Sequence, residues 1–202
     1  MKVCYTTITN NYDILKDPEY ITPNWQYVVF ADRHYESDVW ECVITDKPNR
    51  EIKIKGHVDL FKSLTLYVDG SIQIKGDLNV FISKVPNWFT LWKHPFRHSV
   101  YQEGQEVAKL KGIPKGRVKQ QMNKYKKEGF PYHFGLYACG VMLRDFNDSE
   151  VRRLCDEWWE EFEKWVPRDQ LSLPYVLWKN GYKADIFDQS VFDKYFHWGK
   201  HL

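Results

Sequence analysis

The chain has 202 residues, of which 43% are hydrophobic and 28% charged, with a formal net charge of +2. That balance gives no general pull toward nucleic acid, and no apolar run approaches the roughly 20 residues a bilayer span needs, so neither nucleic acid nor integral membrane association is expected. Cys4, Cys42, Cys139 and Cys155 are scattered without a CxxC pair, which argues against a disulfide framework or zinc cluster and for a reduced, cytoplasmic protein, at most peripheral to a membrane.

No Pro/Gly/Ser-rich or charged linker divides residues 1–202, so they read as one domain. The start reaches Asn10-Asn11 before a signal-length apolar run accumulates, and no cleaved leader is expected. Nine Trp, thirteen Tyr and twelve Phe are a heavy aromatic load, of a kind seen in carbohydrate-handling proteins, though rings also serve a core well.

In chain order, the first strand is expected over 2–8, with Thr6 and Thr7 near its end and Tyr12 in the loop that follows. Strands at 26–30, ending near Asp32, and at 41–44 follow. Arg50-Glu51-Ile52-Lys53 reads as a basic helix on which Arg50 and Lys53 sit one turn apart, presenting both cations to an anion from one face. The strand at 63–68 delivers Asp69 at its end, followed by Gly70 and Ser71. A carboxylate held there by a rigid strand suits a hard cation and ribose hydroxyls, and Gly70 would let the backbone turn and a diphosphate approach closely. Asp-Gly at a strand end is also the composition of a plain turn.

A Trp-rich strand at 89–92 precedes His94, Arg97 and Glu103, which are candidate binding residues. A helix runs from near Pro114 to Gly129 inside a stretch rich in Lys and Arg, read as a solvated face. The strand at 137–143 leads to an amphipathic helix from about 148 to 165, with Asn147 and Glu150 resembling a capping box and Pro167 as the stop. Arg168-Asp169-Gln170 opens the next helix, which ends at Asn180-Gly181. A carboxylate at that N-terminus is stabilised, making Asp169, with Arg168, a candidate for catalysis, either as general base or as a group steadying positive charge. An N-cap is the plainer role for the same residue. Strands apolar on both faces, interleaved with helices, give an α/β class with a mostly parallel sheet covered on both sides.

Separated segments then fall in a recognisable order. They are Tyr5-Thr6-Thr7-Ile8 with Tyr12-Asp13, Tyr27-Val28-Val29-Phe30-Ala31-Asp32, Tyr67-Val68-Asp69-Gly70-Ser71-Ile72 and His94-Pro95-Phe96-Arg97-His98-Ser99-Val100-Tyr101-Gln102-Glu103. Gly140-Val141-Met142-Leu143-Arg144, Trp158-Trp159 and Arg168-Asp169-Gln170-Leu171-Ser172-Leu173 complete the set. The chain resembles the GT-A-type, hexosyltransferase-like glycosyltransferase domain proteins of bacteria, viruses and plants, long treated as a domain of unknown function. The resemblance implies a single-domain GT-A fold, a nucleotide-sugar donor, UDP-linked, a glycan or glycoconjugate acceptor, a role in polysaccharide biosynthesis, and Mn²⁺ or Mg²⁺ held by a DxD-like motif. Asp69 takes the motif's first acid, Asp32 the acid that meets the donor's uridine or ribose, and Arg50 and Lys53 the donor phosphates. On the same resemblance Thr6, Thr7 and Tyr12 would contact the base, His94, Arg97, Glu103 and Gln170 would position donor or acceptor hydroxyls, and Asp169 with Arg168 would meet the reacting sugar. Ser71 stands where a second carboxylate is usual. The resemblance supplies a remedy in Phe196-His197-Trp198-Gly199-Lys200, with His197 as a metal ligand and Lys200 near the diphosphate. The incomplete motif also motivates a rival, a non-catalytic glycan-binding module on the same fold.

Overall fold

The computed structural model describes residues 1–85 and 89–199. The chain opens with β1 (Lys2–Ile8), β2 (Gln26–Ala31) and β3 (Glu41–Ile44), then α1 (Asn49–Lys55), a 3-10 turn (Val58–Leu60), β4 (Leu64–Val68), β5 (Ile72–Ile74), α2 (Leu78–Ile82) and β6 (Phe89–Lys93). Next come α3 (Val100–Val107), α4 (Lys115–Lys127), β7 (Tyr137–Asp145), α5 (Ser149–Lys164), α6 (Asp169–Lys179), β8 (Asp185–Phe187), α7 (Gln189–Tyr195) and β9 (Phe196–Trp198). Each strand expected from β-branched and aromatic runs is present, with ends shifted by one or two residues.

Seven strands form one sheet in the order β3-β2-β1-β4-β7-β6-β8. Only β7 runs against the others, since it pairs antiparallel with both β4 and β6 while the remaining contacts are parallel. Alternate residues feed two apolar layers. Tyr5, Phe30, Tyr67 and Met142 point into one with α1, α5 and α6, and Cys4, Val29, Leu66 and Leu143 into the other, where Phe81, Phe192 and Phe196 close the opposite face. Burial on both faces is the reason these strands lack polar alternation.

One local expectation is corrected. Asn147 does not cap α5. Asp148 does, accepting from the Glu150 amide at 2.8 Å, while Asn147 donates to Asp145. Near the end of the described chain β9 pairs antiparallel with β5, and Phe196 is buried. At the other helix boundary the reading and the structure agree, with α6 ending at Asn180 and Gly181 at φ +63°.

The chain order β1, β2, β3 runs outward on one side of β1, and β4 then joins its other side. The carboxyl ends of β1 and β4 therefore flank a topological switch point, where open α/β sheets bind ligands. One buried side chain fixes α1 above it. Arg144 on β7 is fully buried and donates to the carbonyls of Lys53 and Ile54 at 2.7 Å each, and it also contacts the Tyr5 hydroxyl. Those carbonyls lie in the last turn of α1, which has no intrahelical donors for them and carries negative dipole charge. Arg144→Met is expected to lower stability by about 2 kcal/mol or more, since two buried acceptors lose their donor; urea unfolding of both proteins measures it.

Candidate active site

Asp69 follows β4 directly, and its amide donates to the Gly140 carbonyl at 2.8 Å, so β7 as well as β4 sets its position. A side chain on Gly140 would come within 3.3 Å of the Asp69 carboxylate and 2.9 Å of Ile72 Cδ1. Gly70 has a different use from the one its sequence suggests. The space its Cβ would fill is taken by Asp13, whose Cβ lies 2.8 Å and whose Oδ2 lies 3.0 Å from that point. Close approach at Gly70 is thus between two segments of the chain rather than between backbone and diphosphate.

The fully buried Lys53 ammonium stands between two carboxylates, 3.0 Å from Asp69 Oδ1 and 2.8 Å from Asp169 Oδ2. Arg50, one turn earlier on α1, reaches the same Asp169 oxygen at 2.8 Å. The Tyr67 hydroxyl donates to Asp69 Oδ1 at 2.6 Å, and its ring lies 5.2 Å below the Lys53 ammonium. Burial by itself would raise the Asp169 carboxyl. Lys53 and Arg50 outweigh it and hold the group well below the usual carboxylate range. Burial pulls the Lys53 amine down, but Asp169 and Asp69 prevail and leave it raised. Lys53, Arg50 and Asp169 are therefore charged in the folded protein, so the cluster is an ion network rather than a neutral pair. A carboxylate so strongly tied to cations is a weak proton acceptor, which favours a charge-steadying role for Asp169 over that of a general base.

Around this network the cavity of about 350 Å³ is walled by Tyr12, Ser71, Arg97, Arg168 and Gln170 as well as by the ion network itself. Among the described residues no carboxylate lies within ion-pair distance of Arg168, so its charge is available at the opening. His94 is buried, and its Nδ1 accepts from the amides of Phe96 at 3.2 Å and Arg97 at 3.1 Å. Arg97 forms an ion pair with buried Glu103. Cys139 lines the same wall, and burial pushes its thiol well up, so it is a neutral packing group rather than a nucleophile.

Two smaller recesses adjoin Asp69 on the β1 side. One is lined by Thr7, Tyr12, Asp13 and Tyr67, the other by Thr6 and Gly70 together with Lys16. The Thr6 hydroxyl is buried without a partner in the structure, and Thr7 donates to the Asn49 carbonyl at 3.3 Å. Asp32 is not among the residues lining any of these spaces; it is exposed and accepts from the Asn10 amide at 2.7 Å, bracing the loop after β1. His197 is also apart. It is exposed and pairs across from Gln73, whereas its neighbour Trp198 pairs with Ile72 and faces the cavity. Lys200 lies outside the described residues.

The donor set decides how a divalent cation would fit. Among the described residues no group of three His, Cys, Asp or Glu side chains converges. Asp69 and Asp13 do share one recess, and one or two carboxylates completed by substrate phosphate oxygens is the usual way Mg²⁺ is held. The residues therefore fit a cation that arrives with a diphosphate, with Asp69 and Asp13 as its carboxylates. Asp13 and Lys16 are lining residues of these recesses that sequence reasoning passed over. Tyr12-Asp13 and the Gly70 close approach are the available signals, and only folding joins them.

The His94 imidazole is pulled down to about 4 from 6.5, first by burial and then by Arg97 and His98. Because the unfolded chain takes up this proton and the folded chain does not, His94 lowers stability as pH falls from 6.5 to about 4. His94→Gln is expected to flatten that part of the stability profile relative to the parent, as read from urea midpoints at several pH values.

A family model described as TOD1/MUCI70, glycosyltransferase-like domain, matches residues 39–201. Among solved structures, the WbbM bifunctional glycosyltransferase in its apo form aligns with 91% of this chain at a TM-score of 0.52 and 12% identity. The chain spans 38% of that structure's length, and the likeness at this identity concerns fold. No curated protein shows significant sequence similarity to the chain.

Proposed function

Since the chain belongs to the TOD1/MUCI70 glycosyltransferase-like domain family, we propose that it moves a hexose-type sugar from a UDP-linked donor to a hydroxyl of a glycan or glycoconjugate. Its mostly parallel sheet is that of a GT-A-type glycosyltransferase domain. The observation that carries the finer reading is the Arg50–Lys53–Asp69–Asp169 network at the carboxyl ends of β1 and β4. Thr7, Tyr12 and Asp13 on the β1 side would meet the nucleoside, and the diphosphate would lie across Asp69 toward Arg50 and Lys53.

In the reaction the bond from the sugar's anomeric carbon to the β-phosphate oxygen breaks, and an acceptor oxygen takes its place. Negative charge then grows on the departing diphosphate. Arg50 and Lys53 are fixed before the reaction and need no reorganisation to receive that charge, which is the condition for effective electrostatic stabilisation. Asp169 holds both cations in position, and Tyr67 holds Asp69. The acceptor proton passes to the departing diphosphate, because both cavity carboxylates are tied to cations and the His94 ring is a weak base. A divalent cation, when bound by Asp69 and Asp13, would neutralise further charge on the diphosphate.

Titration of a nucleotide-sugar panel into the purified protein tests the reading, with UDP-hexose expected to bind. Arg50→Gln is expected to weaken it about tenfold or more, the value of a charge-assisted hydrogen bond, and Asp69→Asn to abolish turnover. Binding by no member of the panel would overturn the proposal and leave a glycan-binding module as the alternative. A second measurement isolates the cation. Mn²⁺ is expected to tighten UDP binding in the parent, and that gain is expected to vanish in Asp13→Asn while His197→Ala retains it; tightening unchanged in Asp13→Asn would remove Asp13 from the site.

A further inference from the structure

The charge of the chain is divided unevenly. Between Glu106 and Glu128 the sequence carries eight Lys and Arg and no Asp or Glu, whereas the remaining 21 Lys and Arg stand against 27 Asp and Glu. A nearly balanced total thus conceals a basic segment on an acidic body. Charges farther apart than a Debye length, about 8 Å at physiological salt, are largely screened from one another, so the segment acts on its surroundings as a cation.

Most of this segment is α4, which buries Val118, Gln121 and Tyr125. At about 100° per residue the opposite face carries Lys115, Lys119, Lys126 and Lys127, all exposed, with Gly116, Gln120 and Asn123 between them. Among the described residues none of these four lysines makes an ion pair, because Glu128 and Glu161 are held by Lys124 and Glu106 by Lys109. Ahead of α4, Leu110 is exposed between Lys109 and Lys111. Beyond α4 the chain enters the wall of a second cavity, a groove of about 1010 Å³ that is lined there by His133, Phe134 and Gly135 and shares Arg97 with the first cavity.

We infer that the solvent face of α4 docks on an anionic phospholipid surface. Its 13 residues make a row about 20 Å long, and single ammonium groups spread along it match a plane of distributed negative charge. Clusters of about four to eight cations on a helix are what such surfaces recruit. Nucleic acid fits less well, since the exposed face has no ring on which a base could stack, while Leu110 offers an apolar side chain to the headgroup layer. The acidic remainder of the chain is repelled by the same surface, so one orientation is favoured, with the groove that follows α4 set beside the lipid. None of the four lysines lines the donor cavity, so docking and donor binding are separable.

Vesicle flotation with the full chain tests this, comparing phosphatidylcholine alone with an equal mixture of phosphatidylcholine and phosphatidylglycerol. Binding is expected only to the anionic vesicles, and it should weaken as salt is added. Lys119→Gln combined with Lys126→Gln is expected to reduce affinity more than tenfold, at about fivefold per lysine. Adding Lys115→Gln and Lys127→Gln should bring binding down to the neutral-vesicle level while the urea midpoint stays at the parent value. Lys84→Gln combined with Lys194→Gln removes the same charge as the first pair from exposed positions beside α2 and on α7, across the sheet, and is expected to leave binding unchanged. Equal binding to both vesicles, no binding at low salt, or equal losses in the two double variants overturns the inference. Tighter binding to a short nucleic acid duplex than to the anionic vesicles overturns it too, and gives the face to nucleic acid instead.

Discussion

The arrangement turns on one ammonium group. Lys53 is buried, and moving a charge out of water costs several kcal/mol unless partners replace the lost hydration. Asp69 and Asp169 supply that replacement, and they arrive from the end of β4 and the first turn of α6. Three elements distant in sequence are thereby held to one geometry. Arg144 acts on the same residue from behind by binding its backbone carbonyl, so the position of Lys53 is set at both ends. Removing any carboxylate would leave a buried cation short of compensation, which is why the network resists partial rearrangement.

This also explains how much of the site was legible in the sequence. Strands apolar on both faces announced a covered sheet, and the spacing of Arg50 and Lys53 announced a shared helical face. What spacing cannot give is the partner. Arg50 and Asp169 are separated by 119 positions, and nothing in either neighbourhood names the other. Asp13 illustrates the same limit at shorter range, because its contact with Gly70 depends on β1 and β4 being adjacent. Residues at strand ends could be listed as site candidates, but which of them turn inward was fixed by pairing. Asp32 ends its strand region as Asp69 does, yet it braces a loop. His197 sits on the outward side of a two-stranded pairing whose other member, β5, is only three residues long and carried no periodic signal.

The charge state of the network bears on how it works. A general base must lose its cationic partners or have its affinity for protons raised, and Asp169 has the opposite environment. On the proposed reading its value lies in keeping two cations aimed at a point where an anion would form. The cost of desolvating and confining the charged groups is met during folding, so the arrangement would need no reorganisation when a leaving group departs. The 27% exposure of the Asp69 side chain fits this division. It is the open edge of the network, while Lys53 behind it acts from a buried position.

Arg97 extends the same logic to the passage between the two cavities. Its guanidinium is balanced by Glu103, and the neighbouring imidazole of His94 is neutral at ordinary pH, so the junction carries little net charge of its own. Lys93 and Lys183 on the groove and Arg168 over the first cavity lie farther out. Positive charge is thus placed toward the two openings and balanced where the cavities meet, an arrangement that draws anions to the openings without fixing them at the junction.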